Sequence, residues 1–219
     1  MAERVKPGSP PPAGRGQART RLARRAVVDA ARDLFLERGY VATTIDAISE
    51  RSDVPAPTVY RLFSSKLGIL HALLDSSIGG DDQPIPVQQR TEVATLLEEP
   101  DARTLLAGFV SIAVAINVRS NDLYQILWSA SASDAAAAAL FTDYQRQRAE
   151  GQGRFARSLA EAQALRPELR ERDAADLIHA LASPELYRLL VTDKGWAIDR
   201  YERWLLDTLT AQLLAIGQS

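Results

Sequence analysis

The side chains able to do chemistry in this 219-residue chain are mostly cations and hydroxyls. Histidine occurs twice, as His71 and His179, and cysteine is absent. Without a thiol there is no disulfide, no thiolate metal ligand and no thiol nucleophile. No HExxH, GxSxG or phosphate-loop pattern occurs, and no pair of carboxylates stands in a setting suited to acid–base work. Gly14-Arg15-Gly16 lacks the third glycine and the strand–helix setting of a dinucleotide site. No catalytic group, metal or cofactor is therefore expected. What the chain does offer is charge concentrated at one end. Residues 1–75 hold 12 Lys and Arg against 8 Asp and Glu, a balance of +4, whereas the remainder holds 14 against 20, or −6. A basic front and an acidic rear suit a chain that meets phosphate at one end, although ordinary fluctuation produces such a split too. Arg15, Arg19, Arg21, Arg24 and Arg25 crowd the front. A flexible arginine arm there would follow a phosphate backbone or enter a minor groove; the alternative is a solubilising tail.

Those groups need a scaffold, and the patterning is helical. Apolar residues make up 46% of the chain, enough for a real core. Residues 1–18 read as a disordered basic arm, because Pro7, Pro10, Pro11 and Pro12 with three glycines oppose helix and core alike. From Thr20, apolar residues fall at helical spacing as far as Arg38, and Gly39 supplies a stop. Thr44 with Asp46 opens a short helix over about 45–51. Pro55 and Pro57 open a third, which ends at Phe63, and Ser65 caps a fourth over 66–78. Gly79 to Pro86 reads as a loop. Further helices are expected near 91–98, 102–119, 121–130, 134–164, 171–191 and 198–216, with Pro184 breaking the penultimate one and Ser183 capping its second part. The 134–164 stretch carries a stripe of Phe141, Tyr144, Arg148, Gly151, Phe155, Leu159 and Ala162. It reads as one long helix, or as two broken near Gly151. The fold class is thus all-α. No apolar run is read as approaching a membrane span and no hydrophobic leader follows the N-terminus, so a cytoplasmic protein without a membrane partner is expected.

Residues 44–63 place two short helices around a three-residue turn, the helix-turn-helix layout in which the second helix enters the major groove. The run from Arg38 through Gly39, Thr43, Thr44, Ile45 and Asp46 to Ile48, followed by Val54-Pro55-Ala56-Pro57-Thr58-Val59-Tyr60-Arg61-Leu62-Phe63-Ser64-Ser65-Lys66, resembles the DNA-binding signature of the TetR (tetracycline-repressor) family. The resemblance covers about residues 20–70. It implies a helix-turn-helix domain over 19–66, after the arm at 1–18, and a helical ligand-binding and dimerisation domain over 67–219. It implies double-stranded operator DNA as partner, a homodimer, and a small apolar or aromatic effector. Roles follow residue by residue. Thr43, Thr44, Thr58 and Tyr60 would offer hydroxyls to phosphates, with Thr44 also capping its helix. Lys66 would neutralise a phosphate, and Arg19 would contact DNA from the arm. Ala56, Pro57 and Arg61 would face the bases. Only Arg61 carries a donor fork suited to guanine O6 and N7, so specificity should be shared with DNA shape. Two positions depart from the family pattern. Asp53 stands where glycine is common in the turn, and Leu62 where a phosphate-contacting side chain is common.

The resemblance also assigns the rear. Helices between about 102 and 164 would line a cavity, with Phe109, Asn117, Tyr124, Trp128, Phe141, Tyr144 and His179 as candidates. Asn117 sits in an otherwise apolar stretch and needs a partner, which a ligand, a neighbouring side chain or water could supply. His179 reads equally as a satisfied core histidine. The two C-terminal helices are apolar on more than one face, which suggests a partner surface. Leu177, Leu181, Tyr187, Tyr201, Trp204, Leu205 and Leu209 are the candidates for a dimer interface; a buried hairpin is the alternative. A helical protein-binding scaffold without operator function is the rival reading of the whole chain, and salt-dependent DNA binding discriminates the two.

Overall fold

The computed structural model describes residues 13–80, 87 and 90–215; the proposed arm up to Pro12 and most of the 79–86 loop lie outside them. The described residues form helices and no named strand, in keeping with the all-α expectation. Two compact units divide between Ile69 and Leu70.

The first unit contains α1 (Ala13–Ala42), α2 (Ile45–Ser52), α3 (Ala56–Phe63) and the start of α4 (Lys66–Gly79). The helix α1 begins seven residues before the expected Thr20, so residues 13–18 are helix rather than arm. Two glycines there cost about 1 kcal/mol each relative to alanine. Good helix formers surround them, and the Thr20 hydroxyl donates to the Gly16 carbonyl at 3.0 Å. At its other end α1 kinks where the stop was expected, Gly39 taking φ 75°, ψ 174°, and helical residues continue to Ala42. Val27, Ala31, Leu34 and Phe35 face the core, together with Ile48 of α2 and Val59 of α3. Ile48 and Val59 are fully buried, and each contributes roughly 1.5–3 kcal/mol.

The second unit holds the remainder of α4 with α5 (Thr91–Leu97), α6 (Ala102–Ser131), α7 (Ala135–Glu161), α8 (Glu171–Leu181), α9 (Pro184–Tyr187) and α10 (Ile198–Leu213). The helix α6 is one element where two were expected. Ser120 stays in the helix by donating to the Ile116 carbonyl at 2.8 Å, and nothing else at the expected break interrupts the ladder. As a single helix, α6 is long and apolar enough by composition to cross a membrane, which corrects the expectation of no such run. It is instead the core helix of this unit, with Leu105, Leu106, Phe109 and Leu127 buried and with α7, α10, α9 and α5 packed around it. Gly151 and Gly153 do not break α7. The break before Pro184 is present, and the Ser183 hydroxyl accepts from the Leu186 amide at 3.1 Å. Beyond α9 the chain widens into a π-turn over Arg188–Asp193. The α7–α8 connection is fastened to the end of α10 by Arg166 N–H to Leu213 O at 2.8 Å and Ala215 N–H to Ala164 O at 3.1 Å.

Candidate nucleic-acid interface and cavity

The reading unit is held by contacts that the polar sequence around it supplies. Thr44 caps α2, its hydroxyl accepting from the Ala47 amide at 3.1 Å. Asp53 takes φ 54°, ψ 29° in the turn, a conformation that aspartate tolerates better than most residues. The Ser49 hydroxyl donates to the Val54 carbonyl at 2.7 Å and staples that turn. Arg51 grips Glu37 of α1 through two bonds of 3.0 Å, which holds the Glu37 carboxyl below its usual range. Arg24 lies 4.5 Å from the Phe63 ring centre and donates to the Leu62 carbonyl at 3.4 Å, so it braces α3 rather than extending toward DNA.

Along α3, Val59 and Phe63 are buried, whereas Pro57, Tyr60 and Arg61 are exposed. Those three stand at i, i+3 and i+4 and so share one face. Ala56 and Thr58 are half-buried beside them, and Tyr60 is 53% exposed. Thr44 and Arg19 are also exposed, the latter on the first turns of α1 rather than on a flexible arm.

Two of the expected phosphate contacts are otherwise engaged. Thr43 is fully buried, and its hydroxyl donates to Gly39 O at 2.8 Å and Leu34 O at 3.2 Å. It closes the end of α1 and has no hydroxyl hydrogen left for DNA. Lys66 points its ammonium at the same helix end. Its Nζ donates to Tyr40 O at 2.6 Å and Thr43 O at 2.7 Å, and it sits 4.2 Å from the Tyr40 ring centre. Carbonyls at a helix C-terminus carry partial negative charge, and a cation there satisfies them. A lone Lys in sequence cannot reveal this, because the partners are backbone atoms 23 to 26 residues away.

The second unit encloses a cavity of about 150 Å³ lined by α6 and α7 with contributions from Ile78, Val87, Val93, Ala182 and Pro184. Of the expected lining residues, Phe109, Asn117, Tyr124 and Tyr144 reach it. Trp128 does not, being 49% exposed on the outside of α6. Phe141 is absent from the lining and leans on the Tyr124 ring at 5.4 Å. His179 is also absent, and it is the satisfied histidine of the alternative reading: Gln152 Oε1 lies 2.8 Å from Nδ1 and Arg148 Nη2 lies 2.8 Å from Nε2. Arg148, Gly151, Gln152 and Phe155 line the cavity but were not expected to. The stripe along α7 already contained Tyr144, Arg148, Gly151 and Phe155, and an arginine within an apolar stripe was the available signal. Tyr144 donates to Asp75 at 2.7 Å and Tyr124 to Glu185 at 2.9 Å; burial pushes both phenols well above their ordinary range.

The expected dimer surface separates into two groups. Tyr187, Tyr201, Leu205 and Leu209 are buried within their own chain, Tyr201 standing edge-on to Tyr187 at 5.3 Å. They are core, because α9, which carries Tyr187, packs on α6, and the face of α10 that carries the other three packs on α6 and α8. Leu177, Leu181 and Trp204 are half-buried.

Against known proteins, the family model described as "Bacterial regulatory proteins, tetR family" matches residues 27–73. An uncharacterized HTH-type transcriptional regulator, YdeS of Bacillus subtilis, is 26% identical over 180 residues, covering 81% of this chain and 83% of the relative. Two solved structures share the fold. A SmeT–triclosan complex is 20% identical with a TM-score of 0.65, over 89% of this chain and 93% of that one. FadR from Bacillus subtilis in complex with stearoyl-CoA is 17% identical with a TM-score of 0.66, over 84% and 96% respectively. The cap at Thr44, the left-handed turn at Asp53 and the exposed face of α3 all lie inside the segment that the family model matches. Residues 27–73 thus match the helix-turn-helix segment of the tetR family of bacterial regulatory proteins, and the chain shares the fold of these solved structures.

Proposed function

We propose that the protein is a cytoplasmic, ligand-responsive repressor that binds a palindromic operator as a homodimer. The observation that carries this reading is the exposed face of α3, where Pro57, Tyr60 and Arg61 project from a helix whose other face is locked into the core. Tyr60, Thr58 and Thr44 supply hydroxyls for phosphate oxygens, and Pro57 and Ala56 offer apolar contact to thymine methyls. Arg61 reads guanine. With an operator recovered by in vitro selection, Arg61→Ala is expected to relax preference at one base pair by about 1–3 kcal/mol. Tyr60→Phe should weaken all duplexes alike. Uniform weakening by Arg61→Ala would remove the base-reading role.

Dimerisation supports two reading heads on successive major-groove faces, about 34–36 Å apart. The half-buried Leu177, Leu181 and Trp204, with the exposed Leu189 and Ile198, are apolar groups that a second copy could cover. Leu177→Glu is expected to convert a dimer to a monomer in sedimentation at micromolar concentration, and to abolish binding to the palindrome. A dimer that survives this change would move the interface elsewhere.

Effector response is supported by the cavity and by the small molecules carried by two relatives of the same fold, triclosan in one and stearoyl-CoA in the other. Ile78, on the last turn of α4, lines the cavity, and Tyr144 of its wall holds Asp75 of the same helix. Arg119 ties the end of α4 through the Ser77 and Ile78 carbonyls at 3.0 and 3.1 Å. A ligand that displaces these contacts acts on the helix that begins at Lys66 in the reading unit. By linkage the ligand binds DNA-free protein more tightly, with a coupling of about 1–3 kcal/mol.

A further inference from the structure

The geometry points to a small carboxylic acid with an apolar body as the ligand of the α6–α7 cavity, its carboxylate received by Arg148. This inference rests on the reading of that cavity as an effector site. The unit as a whole is rich in acids, yet among the described residues the cavity wall contains two arginines, Arg148 and Arg154, and no carboxylate. Asp75 and Glu185 are turned to other work: Asp75 receives the Tyr144 hydroxyl and Glu185 the Tyr124 hydroxyl.

Arg148 is half-buried and makes no ion pair with a described carboxylate. Its partners are neutral. Nε and Nη2 donate to Gln145 Oε1 at 3.3 and 3.1 Å, Nη1 donates to the His179 carbonyl at 2.9 Å, and Nη2 meets His179 Nε2 at 2.8 Å. Of the five N–H groups of a guanidinium, one on Nη1 remains. Burial depresses the affinity of this group for its proton, and Glu185 offsets that only in part. A half-buried cation paired with neutral acceptors is a costly arrangement, and an incoming anion relieves it.

The neighbouring groups add donors. Because Arg148 donates to His179 Nε2, the ring proton sits on Nδ1 and donates to Gln152 Oε1, which leaves the Gln152 amide hydrogens for another partner. The Asn117 amide nitrogen is buried on the same wall without a hydrogen-bond partner. Ile112, Ile116 and Phe155 provide the apolar walls. At about 150 Å³, the space matches a cavity of about 150 Å³ that takes up benzene. A ring-sized acid fits it.

The test uses benzoate, benzyl alcohol and benzylamine as probes of one size and three charges, titrated calorimetrically into the full-length protein. Benzoate is expected to saturate at least tenfold more tightly than benzyl alcohol, with benzylamine weakest. Arg148→Met should erase that tenfold preference, whereas Arg148→Lys should keep part of it. If Arg148→Met does not melt cooperatively, the three-probe comparison on the unaltered protein decides alone. Benzyl alcohol binding as well as benzoate would overturn the anion assignment while keeping the effector cavity. Benzoate binding that survives Arg148→Met unchanged would overturn it too. No binding by any probe at millimolar concentration would overturn it as well; the effector reading would then stand or fall on whether neutral apolar compounds release the operator.

Discussion

Gly68→Ala is expected to abolish operator binding and to lower the stability of the reading unit by about 3 kcal/mol, the upper end of what overpacking costs. Gly68 lies in the first turn of α4. A Cβ there would collide with the carbonyl oxygen of Phe63, the last residue of α3. A flexible side chain could swing away from such a collision, but a backbone carbonyl cannot. Both sides of the corner are also tied. Phe63 O accepts from the Ser65 amide at 2.7 Å, and Ser65 Oγ accepts from the Gly68 amide at 3.0 Å. Relief therefore requires α3 to move relative to α4, and α3 carries Tyr60 and Arg61. Denaturant melts followed by circular dichroism, with operator binding measured alongside, check this. Gly153→Ala is the control, since nothing lies within 4 Å of a Cβ at that position of α7. It should be neutral or stabilising by roughly 0.5–1 kcal/mol. If the two variants melted alike, the close approach at Gly68 would have no energetic consequence.

Lys66→Met is expected to lower stability by about 2 kcal/mol, within the range for hydrogen bonds made by charged groups, while leaving the salt dependence of DNA binding almost unchanged. The two roles open to Lys66 separate cleanly in these measurements. A lysine that neutralises a phosphate contributes close to one unit to the slope of log K against log salt, and its removal should barely affect melting. A lysine that closes a helix end does the reverse. The geometry favours closure, because the ammonium bonds to Tyr40 O and Thr43 O and stacks over the Tyr40 ring. Removing it strands two carbonyls at the end of α1, beside the Gly39 kink. A slope lowered by about one unit with unchanged melting would restore the phosphate role.

Local features were readable where the physics is local. The Thr44 cap, the Gly39 kink, the left-handed turn at Asp53, the Ser65 cap and the break before Pro184 all depend on residues within a few positions of one another. The start of α1 and the continuity of α6 were less legible. Glycines and a serine near position 120 weigh against helix one residue at a time, but a long helix gains from cooperative propagation and from packing along its length.

The amino-acid sequence by itself determined the helical class, the helix-turn-helix and its exposed reading face, because periodicity, caps and turn residues act over one or two turns of chain. Which hydroxyls and cations remain for a ligand was decided only by the tertiary structure. Lys66 is taken up by the carbonyls of Tyr40 and Thr43, and His179 by Gln152 and Arg148. In each case the partner lies far along the chain or on another helix, and no periodicity encodes it. A polar side chain acts on a ligand only with the bonds that folding leaves unmade, and that remainder is a property of the packed structure.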